Sequence, residues 1–134
     1  MANLRMIEGI GDTYAEKLEA VGVKTTDALL EQGATAKGRA TIAEKSGITE
    51  KLILTWVNHC DLYRLDGAGE EYIDLLEAAG VDTVPELAQR NAENLYQKLV
   101  ETNEVKKKVR KLPSQDQVAK WVEQAKTLPR VITY

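Results

Sequence analysis

The sequence contains no phenylalanine, one histidine and three prolines. Its single cysteine, Cys60, excludes an internal disulfide framework and any cysteine-based zinc site. The lone His59 excludes histidine-rich metal sites and leaves a histidine-dependent triad one candidate. No apolar run approaches the roughly 18 residues needed to span a bilayer. Met1 to Met6 carry only Arg5 as a charge, with no apolar stretch behind them, so no signal peptide is expected there. A lone thiol suits a reducing, cytoplasmic setting. Neither sign of charge dominates: 18 Lys and Arg stand against 21 Asp and Glu. That balance excludes a uniformly basic protein of histone type but leaves room for a local basic patch. Phosphate loops of P-loop type, a Rossmann fingerprint and a nucleophile elbow are all missing. No enzyme, catalytic residue, metal site or cofactor is therefore expected.

What is present is a repeat. The chain has 134 residues, enough for one ordinary domain or two very small ones. Residues 7–23 align without a gap on residues 65–81 at an offset of 58. Gly9 matches Gly67, Gly11 matches Gly69, Tyr14 matches Tyr72, Leu18 matches Leu76 and Gly22 matches Gly80. Thr25 with Thr83 and Leu29 with Leu87 continue the series. Trp56-Val57 then matches Trp121-Val122 at an offset of 65, so the second copy carries about seven extra residues. The insertion falls near 103–112. The copies divide at 1–63 and 64–134 with no linker composition between them, which suggests that they pack as one body.

Both copies read as helical. Tyr14, Leu18 and Val21 form a stripe at helical spacing, as do Tyr72, Leu75, Leu76 and Ala79. Gly22 and Gly80 stand where a glycine ends a helix. Thr25 and Thr83 cap the next short helices, and Thr83–Glu86 and Ser114–Gln117 have capping-box spacing. Third helices are expected over 36–46 and 92–102. Fourth helices follow, with Ile53, Trp56, Val57 and Cys60 on one face, and Val118, Trp121, Val122 and Ala125 on its counterpart. Leu4–Ile7 and Arg130–Tyr134 read as short extended ends, able to pair with each other or with a second chain. The fold class is all-α.

Chemistry concentrates at two Gly-x-Gly turns. Glycine tolerates positive φ, and such a turn leaves free amides at the start of the following helix. That end carries the positive half of the helix dipole and suits a phosphate or carboxylate. Asp12, Glu70 and Glu71 follow the second glycines, while Glu8 and Asp66 precede the first. A carboxylate about 4 Å from a phosphate costs roughly 1 kcal/mol even in bulk-water dielectric. Asp12 could cap its own helix and occupy those amides. The turns thus admit two readings, a phosphate cradle or a self-capped packing device.

At these residues the sequence resembles the helix-hairpin-helix family. Ile7, Gly9, Ile10, Gly11, Ala15, Leu18, Gly22 and Val23 fit its pattern in the first copy. Leu65, Gly67, Ala68, Gly69, Leu76, Gly80 and Val81 fit it in the second, with Ile73 where alanine is usual. The chain is also similar to a bacterial family of small stand-alone tandem helix-hairpin-helix proteins to which no function is assigned. The resemblance implies two tandem SAM-like four-helix units. It also implies that Gly9, Ile10, Gly11, Gly67, Ala68 and Gly69 hold the DNA backbone without reading sequence. Binding members tend to carry Lys or Arg after the second glycine, which this chain does not.

Residues 101–134 hold eight basic and four acidic side chains. Lys106, Lys107, Lys108, Arg110 and Lys111 cluster there. If this stretch is helical, Val105, Val109 and Leu112 form an apolar stripe with the cations fanned opposite. Such a patch could meet nucleic-acid backbone or an acidic protein face, or simply be solvated surface. No aromatic residue is interleaved for base stacking. His59 and Cys60 are helix neighbours, whose side chains point about 100° apart, so they make no nucleophilic pair. Two functions remain: a non-catalytic module binding nucleic-acid backbone, or a protein-interaction module whose acidic hairpins are structural. The two tryptophans read as core anchors in either case.

Overall fold

A computed structural model describes residues 3–7 and 9–134; Glu8, Met1 and Ala2 lie outside the described residues. Among the described residues the regular structure is helical: one 3-10 turn over Leu4–Met6 and eight α-helices. The helices are α1 (Asp12–Ala20), α2 (Thr26–Gln32), α3 (Ala36–Ser46), α4 (Glu50–Leu62), α5 (Glu70–Ala78), α6 (Val84–Ala88), α7 (Ala92–Lys106) and α8 (Gln115–Thr127). No helix among them is long and apolar enough to cross a membrane.

The chain divides into two units. The first comprises residues 1–61 and 131–134, the second residues 62–130. The last four residues therefore belong with the first unit rather than the second. In the first unit α1 packs on α3. In the second α5 packs on α7, and α6 and α7 pack on α8. Bounds of α1 and α5 differ by 58 residues at both ends, and those of α4 and α8 by 65.

Local chemistry explains the boundaries. Gly22 and Gly80 adopt φ of +90° and +96°. Each closes a Schellman end: Val23 N–H donates to the Leu18 carbonyl, and Val81 N–H to that of Leu76, both at 2.9 Å. Thr25, Thr35, Thr83, Asn91 and Ser114 accept first-turn amides at the starts of α2, α3, α6, α7 and α8. The Ser114 box is only half made, because the Gln117 side chain turns toward Gly67 instead.

The core of the second unit gathers Leu65, Ala68, Ile73, Leu76, Val81, Leu87, Leu95, Leu99, Val118 and Trp121. Leu18, Leu29, Ile42, Ile53, Trp56 and Val57 are buried in the first. The chain ends do not pair with each other among the described residues. Leu4–Met6 is a 3-10 turn instead of extended chain, because the Asn3 side chain accepts the Arg5 amide and caps it. Asn3 makes an isolated bridge with Thr25, and Thr133 N–H donates to the Ala34 carbonyl at 2.7 Å.

Candidate nucleic-acid interface

Each Gly-x-Gly segment is a tight turn with one buried residue between two exposed glycines. Ile10 N–H donates to the Ile7 carbonyl at 3.1 Å, closing a four-residue turn. Gly9 stands third in it at φ +93°, a conformation a side chain would strain. Gly67 occupies the matching place at φ +77°. The side chains of Ile10 and Ala68 are buried and plug the turns onto their cores. Because its amide is spent inside the turn, Ile10 offers no donor to a ligand.

Gly11 and Gly69 are the N-caps of α1 and α5, in extended conformation, and neither helix start receives a side-chain cap. The other helices do. Even α4 has Leu52 N–H donating to the Thr49 hydroxyl at 3.3 Å. The expected self-cap by Asp12 does not form. Asp12 is the first helical residue instead of the cap, and its carboxylate accepts from Arg5 Nε at 2.9 Å. That hydrogen bond raises the Arg5 guanidinium above its ordinary pKa. Arg5 also reaches Glu19 at 3.4 Å. In the second unit Glu70 and Glu71 occupy the first turn of α5.

A tryptophan supports each turn from below. Trp121 Nε1–H donates to the Asp66 carbonyl at 3.1 Å, and Asp66 N–H donates to Gln124 Oε1 at 2.9 Å. The Trp121 ring leans on Tyr72 with centroids 5.5 Å apart. In the first unit Trp56 meets Tyr14 edge-on at 5.1 Å, and a Cβ at Gly9 would lie 3.5 Å from the indole nitrogen. Beside the second turn opens a cleft of about 460 Å³, lined by Asp66, Gly67, Gln117, Lys120, Trp121 and Gln124. Lys120 is thus a cation at the turn that sequence spacing missed. The available signal was its place on α8, one residue before the tryptophan that holds the turn.

The basic segment is a built loop, not a helix. α7 stops at Lys106, and Lys107 adopts a left-handed conformation at φ 49°, ψ 49°. Asn103 replaces the helical pairing: its Nδ2 donates to the Val109 carbonyl at 3.1 Å, and its Oδ1 accepts Val109 N–H at 3.0 Å. Pro113 then bars a helix from the residue before it. The expected stripe therefore does not form. Val109 is buried and anchors the loop, while Val105 is 81% exposed. Lys106, Lys107, Arg110 and Lys111 are exposed, and Lys108 is half-buried. The loop and Gly67–Gly69 belong to the second unit, and Gly9–Gly11 to the first.

His59, Cys60 and Asp61 are all buried along α4. No group of three or more His, Cys, Asp or Glu among the described residues is placed to hold a metal ion.

A family model described as a domain of unknown function matches residues 8–128, a span that includes both turns and the basic loop. No curated protein matches the chain. No solved structure matches it.

Proposed function

We propose that this chain, which belongs to the family described as domain of unknown function (DUF4332), is a non-catalytic module of two tandem helix-hairpin-helix units that holds nucleic-acid backbone without reading bases. One observation carries the reading: the helices that open on exposed Gly-x-Gly turns, α1 and α5, are the ones without a side-chain cap. Unsatisfied first-turn amides at the positive end of a helix are completed by a phosphate oxygen. Gly9, Gly11, Gly67 and Gly69 let the backbone of a ligand approach. Lys106 at the end of α7 and Lys107, Lys108, Arg110 and Lys111 in the loop after it supply the counterion release that backbone binding draws on. Lys120 adds a cation beside Gly67.

Asp12 is drawn off by Arg5. Glu70 and Glu71 still oppose a phosphate at α5, so binding is weak. It falls in the range of non-specific contacts, about 10⁻⁴ to 10⁻⁶ M.

The test is fluorescence anisotropy of labelled duplex and single-stranded DNA at about 50 and 200 mM salt. The comparison is a variant with Lys106, Lys107, Lys108, Arg110 and Lys111 reversed to glutamate. Micromolar binding that collapses with salt and with the variant is expected. No binding at the lower salt overturns the reading and leaves the turns as packing devices.

A further inference from the structure

The cleft beside Gly67 gathers polar groups that the fold itself does not spend. It lies within the second unit, has a volume of about 460 Å³ and is lined by Asp66, Gly67, Gln117, Lys120, Trp121 and Gln124. That size is within the roughly 300–1,000 Å³ of small-molecule sites. Trp121 Nε1–H and Gln124 Oε1 are used on the Asp66 backbone. Among the described residues, no hydrogen bond or ion pair takes up the Asp66 carboxylate, the Lys120 ammonium, the Gln117 carboxamide or Gln124 Nε2. Gly67 has no Cβ to close the space; one there would lie 3.4 Å from Gln117 Nε2. The repeat shows that folding does not need these groups. At an offset of 65, α4 carries Leu52, Thr55 and His59 where α8 carries Gln117, Lys120 and Gln124. Trp56 and Trp121 anchor both helices, yet only α8 has a cation and two carboxamides at these places.

The mixture of charges selects the ligand. A bare phosphate gains from Lys120 and loses against Asp66, and a bare cation does the reverse. A ligand that carries both an anion and hydroxyl donors uses both groups. An ionised carboxylate only accepts hydrogen bonds, and the hydroxyls of a ribose are donors that suit it. Carboxamides offer donors and an acceptor, which the edge of any nucleobase can answer. We propose that this cleft is a ribonucleotide site: Lys120 takes the phosphate, Asp66 the sugar hydroxyls, and Gln117 and Gln124 the base edge. Asp66 sets a preference for ribose over deoxyribose, because the 2′-hydroxyl is the group that distinguishes RNA from DNA. The site discriminates by sugar and not by base identity. Its ribonucleotide comes either free or as one unpaired residue of an RNA strand, and only the second source rests on the proposed nucleic-acid function.

Amide NMR titration of the full chain tests it. The probes are adenosine monophosphate, deoxyadenosine monophosphate and inorganic phosphate at up to about 10 mM, above a millimolar Kd. Shifts are expected at the Gly67 amide and the Trp121 indole. The ribonucleotide is expected to bind roughly tenfold more tightly than the deoxynucleotide, the scale of one hydrogen bond to a charged group. Inorganic phosphate is expected to bind more weakly than either. Asp66→Ala is expected to bring the two nucleotides within about twofold of each other, since that hydrogen bond is then gone from both. Gln117→Leu combined with Lys120→Thr, the residues of the first copy, is expected to keep the helical circular dichroism and lose the shifts. Equal affinity for the two nucleotides in the wild type overturns the proposal. So does a ribose preference that survives Asp66→Ala, or an absence of shifts at the cleft. A single-stranded adenosine oligoribonucleotide, read by anisotropy beside its DNA counterpart, separates the sources. Tighter binding of the RNA strand than of the monomer assigns the site to a strand, and equal or weaker binding assigns it to the free nucleotide. Failure of DNA binding alone overturns the backbone reading and leaves this site standing; DNA binding without a sugar preference does the reverse.

Discussion

Trp121 holds Asp66 through its indole: Nε1–H donates to the backbone carbonyl over 3.1 Å while the ring rests against Tyr72. The last helix of the unit thereby pins the turn that opens the first. A phenylalanine at 121 keeps a ring against Tyr72 but has no donor. W121F is expected to lower unfolding stability by about 1–2 kcal/mol. Urea denaturation reads it as a lower midpoint with an unchanged slope. An unchanged midpoint would show that the clasp contributes nothing.

Capping α5 should separate fold from binding. Gly69 has φ −78°, ψ 174°, and nothing lies within 4 Å of a Cβ placed there. Serine fits that conformation and offers a hydroxyl to the first-turn amides. Gly69→Ser is expected to raise stability by a few tenths of a kcal/mol, roughly the serine–glycine difference at an N-cap. It should weaken DNA binding severalfold, because the amides are then occupied. Stability and affinity moving in the same direction would contradict the uncapped-helix account.

The basic loop contains a strained residue that can be relieved. Lys107 is the one described residue other than glycine at positive φ. Lys107→Gly is expected to stabilise the fold by about 0.5–1 kcal/mol, since left-handed backbone costs a side-chain-bearing residue about 1–2 kcal/mol. It also removes one cation, so the slope of log affinity against log salt should fall by about one. Thermal unfolding and anisotropy titration check the two halves separately.

Gly38 reverses an ordinary expectation. It lies in the first turn of α3, where helix propensity alone favours alanine by up to about 1 kcal/mol. In the fold its Cβ would collide with the Gln32 carbonyl. Gly38→Ala is therefore expected to destabilise by about 1–3 kcal/mol, the cost of overpacking. A gain in melting temperature would refute that geometry.

Much of this protein is local and therefore legible in the chain itself. Helix starts at Thr25, Thr83 and Ser114 and helix ends at Gly22 and Gly80 follow from short-range hydrogen bonding and glycine's tolerance of positive φ. Those are decided within five residues. The stripes bearing Trp56 and Trp121 follow from helical periodicity, and both residues are buried. The 58- and 65-residue offsets reappear as helix bounds because the same caps and stripes recur.

Tertiary structure decided what depends on partners beyond one helical turn, some near in the chain and some far. Asp12 faces Arg5 across a turn, so it does not cap its own helix. Asn103 bonds Val109 through both of its amide atoms and closes the loop, after α7 has run on to Lys106, past the helix expected over 92–102. Lys120 lines the cleft beside the second turn, on the helix whose Trp121 holds the Asp66 carbonyl. Arg39 finds its acceptor at Thr133, 94 residues away. Periodicity assigns a residue to a face, but it carries no record of which distant group that face meets. Closure of long loops and the hydrogen-bond needs of buried polar groups settle that.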